Sequence, residues 1–316
     1  MTIEAIQIQS QEQWLGERVK DVTSTEVSAL YGLSPYLTEY ELFHQKRDQQ
    51  VVKLAPNERM KWGNRLEAAI AHGAAEDMGW KISKLNVYMR DLDARIGSSF
   101  DFQIDSSSDG PGILEIKNVD WLQYRQKWID DGAGNIEAPE HIELQIQHQM
   151  EVSGHSWCAL VALVGGNEQK VILRNRDRAI GQDIRAKVGQ FWQRIAANAA
   201  PSPDYTADAE FIIKQLRNDA EAGLIAQADA SLTELIEQYA YLSRMAKEQE
   251  ALKKATQAQI LERIGKASKV LSPVGSISCG VTKPSAGTLI TPDMVGTTIG
   301  GREGFRNFRF YPAKEQ

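Results

Sequence analysis

The sequence predicts an α/β fold in which a central mixed β-sheet is flanked by helices, followed by a helical C-terminal extension and a short β-rich tail. Three observations predict it. Helical and strand periodicities alternate through residues 38–197; the run Ala200-Pro201-Ser202-Pro203-Asp204 interrupts both; and a single apolar stripe then recurs from Leu232 to Ile264. The expected division is 1–199 for the α/β domain, 200–270 for the helical extension and 271–316 for a Gly-rich, aromatic and basic C-terminal segment.

Element by element, Thr38 to Lys46 reads as a short helix after the Gly32-Leu33-Ser34-Pro35 turn. Glu58 to Met78 reads as a longer one, with Leu66, Ile70 and Ala74 spaced by four and Gly79 as its stop. From Lys81 to Lys117 the pattern is β: Val87 to Met89, Arg95 to Asp105 and Ile113 to Val119 are expected strands, the last two joined by a polar Ser/Asp/Gly/Pro turn into a hairpin. Glu140 to Val152 returns to helical period on Ile142, Ile146 and Met150, with Gly154 as a stop. Trp157 to Val164 and Lys170 to Arg174 are two more strands, and Asp177 to Ala197 another helix. The stripe from Leu232 onward predicts a long helix, either half of a helical hairpin or a coiled coil, although sustained heptads are not evident.

A chain of 316 residues, 42% hydrophobic and 25% charged, has the length of about two domains and can bury a core. The longest apolar run, Cys158 to Val164, is far short of a membrane span, and the first residues lack the basic-then-apolar pattern of a secretion signal. Two cysteines far apart in sequence support neither a disulfide framework nor a thiolate metal site, so the expected setting is a reducing cytosol. A net charge of −6 argues against coating nucleic acid by bulk electrostatics, yet leaves room for a local group of Arg and Lys that holds one phosphodiester.

The chemistry centres on Ile113-Leu114-Glu115-Ile116-Lys117. Alternation puts Glu115 and Lys117 on one face of a strand and Leu114 and Ile116 on the other. Such a pair is also common on a solvated strand. The hairpin sharpens it, because Asp101 on the preceding strand then comes within reach of Glu115. Two carboxylates suit a hard divalent cation, Mg²⁺ above all, and the carbonyl of Ile116 is placed to add an oxygen ligand. Lys117 would orient the attacking water or stabilise the pentavalent phosphorus. Glu67, beside the Leu66/Ile70 stripe, is either a third acid of the site or a surface carboxylate. Gln145 and Gln149 flank the Ile146/Met150 stripe, ready to donate to anionic oxygen or to face solvent.

In this order, Glu67 in W-G-x-x-x-E, Asp101, the Glu115-x-Lys117 strand and the Gln145-x-Gln147-x-x-Met150 helix resemble the lambda exonuclease and YqaJ-type viral recombinase family of PD-(D/E)xK nucleases. The resemblance begins at Trp14, Arg18 and Thr23-Ser24-Thr25-Glu26-Val27 and runs to about Val164. It implies a restriction-endonuclease-like sheet and Mg²⁺-dependent hydrolysis of linear duplex DNA from 5′ ends, with Mn²⁺ able to substitute. Carried over by position, Asp101, Glu115 and the Ile116 carbonyl would hold metal, with Glu67 joining directly or through water. Lys117 and Gln145 would complete the catalytic set, and Arg18 and Thr25 would bind DNA at a terminal or nearby phosphate. A homo-oligomer, in the form of a ring-shaped trimer, and a single-strand annealing protein as partner are further implications. The sequence departs from the pattern at Phe100 and Phe102, where the family often has Pro and Gly around the metal-binding Asp.

The tail interleaves Arg302, Arg306 and Arg309 with Phe305, Phe308, Phe310 and Tyr311, which suits either base stacking or a half-buried strand, the latter being the preferred reading. No HExxH, nucleophile elbow or P-loop is present. The expected function is therefore a phage-type DNA exonuclease, with two alternatives: an endonuclease using the same site, or a catalytically silent DNA-binding scaffold.

Overall fold

Helix boundaries fall where capping residues stand. The computed structural model describes residues 2–52, 57–216 and 224–284, with the backbone of a last strand at 309–312. After Ile3–Gln7 (β1), Ser10 caps Gln11–Arg18 (α1) by accepting from the Gln13 N–H. Val22–Thr23 (β2) and a 3-10 turn over Val27–Tyr31 lead to Glu39–Arg47 (α2), capped by Thr38, and Glu58–Met78 (α3), capped by Asn57. Gly79 ends α3 in the left-handed region, as the stop predicted there requires.

Four strands follow: Lys81–Lys84 (β3), Val87–Asp91 (β4), Ile96–Ser99 (β5) and Phe102–Ser106 (β6). The single strand expected from Arg95 to Asp105 is thus two, broken at Phe100 and Asp101. The break has a topological cause: β5 belongs to a four-stranded sheet ordered β1-β4-β5-β2, whereas β6 belongs to a five-stranded sheet completed by strands further on. Both phenylalanines are buried, and none of residues 100–102 needs a positive φ, so the turn does without glycine. Gly112–Val119 (β7) closes the predicted hairpin with β6, pairing Leu114 with Phe102.

Trp121–Lys127 (α4) and the small ribbon of Ile129–Asp130 (β8) with Ile136–Glu137 (β9) precede Glu140–Ser153 (α5). Trp157–Val164 (β10), Glu168–Asn175 (β11) and Arg178–Ala196 (α6) complete the core. The larger sheet runs β11-β10-β7-β6-β3, with β7 and β10 parallel and the other pairs antiparallel. One face is covered by α3, whose Ile70, Ala71 and Ala74 pack on Phe102, Ile104, Leu114, Ile116 and Ala159. The other is covered by α5, whose Ile146 and Met150 pack on Ile113 and Cys158.

Helix α5 also touches β4 and β5 of the four-stranded sheet, and α6, so it is enclosed between layers and every residue from Gln145 to Val152 is buried. His148 is the sharpest consequence. Burial pushes its imidazole down to about 4, with only weak opposition from the Val22 backbone and the Glu26 and Glu151 carboxylates. A histidine lowered in the folded state binds fewer protons than the unfolded chain between about pH 4 and 6.5, so stability falls as pH drops through that window, by about 3 kcal/mol if the shift is expressed in full. Urea melts between pH 7 and 4 should show this slope, and His148→Gln should flatten it; an unchanged slope would mean that the proton is taken up elsewhere.

The described chain divides into two units, Met1–Ala220 and Glu221–Gln316. Ala209–Leu216 (α7) ends the described part of the first. The second contains Ala230–Ile264 (α8) and a three-stranded antiparallel sheet of Lys269–Ser272 (β12), Gly275–Ser278 (β13) and Arg309–Pro312 (β14). Of the aromatic and basic tail, Arg302, Phe305, Arg306 and Phe308 lie outside the described residues; Arg309, Phe310 and Tyr311 form the strand. Among the described residues, no helix is long and apolar enough to cross a membrane.

Candidate functional site

Asp101 stands where the chain passes from one sheet to the other. Backbone pairing of β7 with β6 stops at Leu114, so the next edge group of β7, the Ile116 N–H, has no strand partner and donates instead to Asp101 Oδ2 at 2.9 Å. A strand residue presents its N–H and C=O at the same edge, which directs the Ile116 carbonyl to the side on which Asp101 lies.

Glu115 and Lys117 project from the α5 face of β7, and α5 supplies their partners. Lys117 Nζ lies 2.6 Å from Glu115 Oε1 and 3.1 Å from Gln145 Oε1. Gln145 Nε2 donates to Glu115 Oε1 at 2.6 Å, and Gln149 Nε2 donates to Glu115 Oε2 at 2.7 Å and to the Ser99 carbonyl at 3.3 Å. The solvated alternatives for these residues are therefore overturned: Glu115, Gln145 and Gln149 are all buried, because a helix between two sheets offers no wet face. Gln149 was the residue whose importance sequence reasoning underrated; its i+4 spacing from Gln145 was the available signal. Its Oε1 is buried and, among the described residues, has no hydrogen-bond partner.

The electrostatics are those of like charges forced together. Burial, then the nearby Glu115 carboxylate and, further, Glu67, hold Asp101 well above the usual carboxylate range, with Lys117 opposing. Burial works to lower the Lys117 pKa, but Glu115 and Asp101 outweigh it and keep the ammonium above its ordinary value. Glu67 is close enough to contribute to this field while its own Oε1 is 2.5 Å from Lys84 Nζ, a partner the sequence did not suggest.

Among the described residues no cluster of three or more His, Cys, Asp or Glu side chains is arranged to hold a metal. What the site offers is two carboxylates and a backbone carbonyl, all oxygen. That set fits Mg²⁺, which is commonly held by one or two carboxylates, waters and substrate phosphate.

Arg18 and Thr25 meet at the wall of a cavity of about 360 Å³ lined also by Trp14, Glu26, Tyr36 and Lys46. Arg18 Nη2 donates to Thr25 Oγ1 at 3.0 Å, and its guanidinium lies over the Trp14 ring, 4.7 Å from the centroid. Glu26 is held below the usual carboxylate range although burial works the other way, because Lys46 at 2.7 Å and Arg18 at 3.7 Å bracket it. The cavity adjoins the carboxylate pair: Trp14 Nε1 donates to Ser99 Oγ at 2.7 Å, on the residue whose carbonyl receives Gln149. Tyr36, another wall residue, is near enough to Lys117 to reinforce its raised pKa.

YqaJ of Bacillus subtilis (strain 168), an uncharacterised protein, is 26% identical over 257 residues, spanning 79% of this chain and 77% of the relative. Among solved structures, an alkaline exonuclease from Laribacter hongkongensis matches at 19% identity and a TM-score of 0.48, covering 66% of this chain and all of that one. A phage-related exonuclease from Haemophilus somnus 129PT matches at 12% identity and a TM-score of 0.38, covering 56% and 96%. Residues 13–156, the stretch that contains Arg18, Thr25, Glu67, Asp101, the Glu115/Lys117 strand and α5, match the YqaJ-like viral recombinase domain.

Proposed function

We propose that the protein is a Mg²⁺-dependent deoxyribonuclease that shortens linear duplex DNA from its 5′ ends. The observation that carries the reading is the convergence of Asp101, Glu115 and Lys117 around the free edge of β7 at Ile116. Asp101 Oδ2 is occupied by the Ile116 N–H, which leaves Oδ1 for a cation. Glu115 Oε1 already accepts from Lys117 and Gln145, so Oε2, which accepts once from Gln149, has the remaining lone pair. Glu67 would join directly or through water. A hard divalent cation at these oxygens supplies an activated water and neutralises charge on the phosphate.

The chain's own residues do the rest. Lys117 presents a fixed positive charge to the phosphorus as negative charge grows on its oxygens. Gln145 holds that ammonium and Glu115 in one arrangement, and Gln149 braces Glu115 from the other side, so little reorganisation accompanies reaction. Arg18 and Thr25, next to this centre, would grip a phosphate at the strand end. The 5′ polarity and the preference for ends rest on the family likeness together with that neighbouring cavity.

The test uses two substrates with Mg²⁺: 5′-labelled linear duplex and covalently closed circular duplex. Loss of label from the linear DNA with the circle intact is the expected result. A cut circle would turn the reading to an endonuclease. Binding without shortening of either DNA, across a range of Mg²⁺ and Mn²⁺, would leave only a silent DNA-binding scaffold.

A further inference from the structure

Helix α8 is 35 residues long and, among the described residues, nothing buries any of it fully. A helix in water takes most of its stability from packing an apolar face rather than from propensity, and α8 has such a face. Leu232, Leu235, Ile236, Tyr239 and Leu242 fall on one side of its first half and are all exposed, Tyr239 by 75%. Ile260, Leu261 and Ile264 continue the stripe at its far end, half-covered. Between them the same side carries Gln249 and Lys253.

Charge is distributed as unevenly as apolarity. Residues 230–243 hold Glu234 and Glu237 and no Lys or Arg. Residues 244–264 hold five basic side chains, Arg244, Lys247, Lys253, Lys254 and Arg263, against three acidic ones. One half of the helix is negative and the other positive.

We propose that α8 pairs with α8 of a second copy of this chain in antiparallel orientation. Head-to-tail placement sets each acidic first half beside a basic second half, with Glu237 within a turn of Lys253 and Lys254 of the second copy, and Leu232 beside that copy's Ile260 and Leu261. Parallel placement would set Glu234 and Glu237 beside their own copies and the lysines beside theirs. Complementary charges of this kind fix orientation more than they add affinity.

Antiparallel pairing places a residue near the midpoint of α8 close to its own copy and a residue near the end far from it. Nitroxide labels on the full-length protein read this directly; Cys158 and Cys279 are buried and do not compete for label. Lys247→Cys is expected to give an interlabel distance within about 25 Å, and Ser231→Cys one of about 50 Å, from the 1.5 Å rise per residue on either side of the centre. Adding Leu235→Asp and Leu242→Asp should abolish both distances and reduce the particle mass, with the folded first unit unaffected, since neither leucine is buried. A short distance at Ser231→Cys would show parallel association and overturn the proposal. So would the absence of any intermolecular distance at both positions at tens of micromolar, which would point to an occupant other than a second copy.

Discussion

Lys117→Ala is expected to slow phosphodiester hydrolysis about 10³-fold while duplex affinity stays within a few-fold of wild type. The size follows from removing one preorganised charge from a dry site, where such groups contribute about 10² to 10³ in rate. The direction of the binding result follows from the structure: Lys117 is tied to Glu115 and Gln145, whereas Arg18 and Thr25 stand apart at the adjoining cavity. Glu115 keeps both glutamine donors in the variant, so its carboxylate stays in place. Single-turnover digestion of end-labelled duplex measures the rate, and a gel shift in Ca²⁺ measures binding. A variant with wild-type rate would remove Lys117 from the reaction; a variant that loses affinity and rate equally would make it a substrate anchor.

The second large effect concerns the support of α5. Glu151, one turn past Gln147, is buried and bonded to Arg176 at 2.5 Å and to Arg185, which also pairs with Asp91 of β4 at 2.7 Å. The two arginines hold the carboxylate below its usual range against the effect of burial. Helix α6 comes close enough that any side chain at Gly181 would collide with this carboxylate. Removing Glu151 takes the paired carboxylate from Arg176 and one of two from Arg185, which keeps Asp91, each guanidinium being about a quarter exposed. Breaking such a pair costs about 3 kcal/mol at the lower end of the usual range, since water reaches both arginines. For a unit of this size Glu151→Ala should therefore lower Tm by roughly 6 to 12 °C. Activity per folded molecule at 20 °C should be unchanged, because Glu151 touches none of the groups around Glu115. A smaller loss in calorimetry, under about 1 kcal/mol, would mean that the cluster is no stronger than a surface pair.

Much of the element pattern was legible because local signals decide it. Residues 58–78 form a helix with the predicted limits, since Asn57 and Gly79 end it by side-chain and backbone chemistry that owes nothing to tertiary contacts. Gly154 does the same for α5, and the alternation in Ile113 to Lys117 correctly separates the face of Glu115 and Lys117 from that of Leu114 and Ile116. The break at Phe100 and Asp101 was not legible. Its flanking residues are as apolar as those of a continuous strand, and only membership of two different sheets forces the turn.

The sequence by itself determined which residue types exist to do chemistry and how far apart they lie along the chain: two acids, the second between core-facing residues with a lysine two positions on, and a helix bearing glutamines at i and i+4. Only the tertiary structure decided that Asp101 would cap the orphaned Ile116 N–H, that Gln145 and Gln149 would be buried against Glu115, and that Arg18 would reach Thr25 beside the same centre. The reason is that periodicity encodes which way a side chain faces on its own element, whereas burial and charge coupling depend on which elements come to lie against that face.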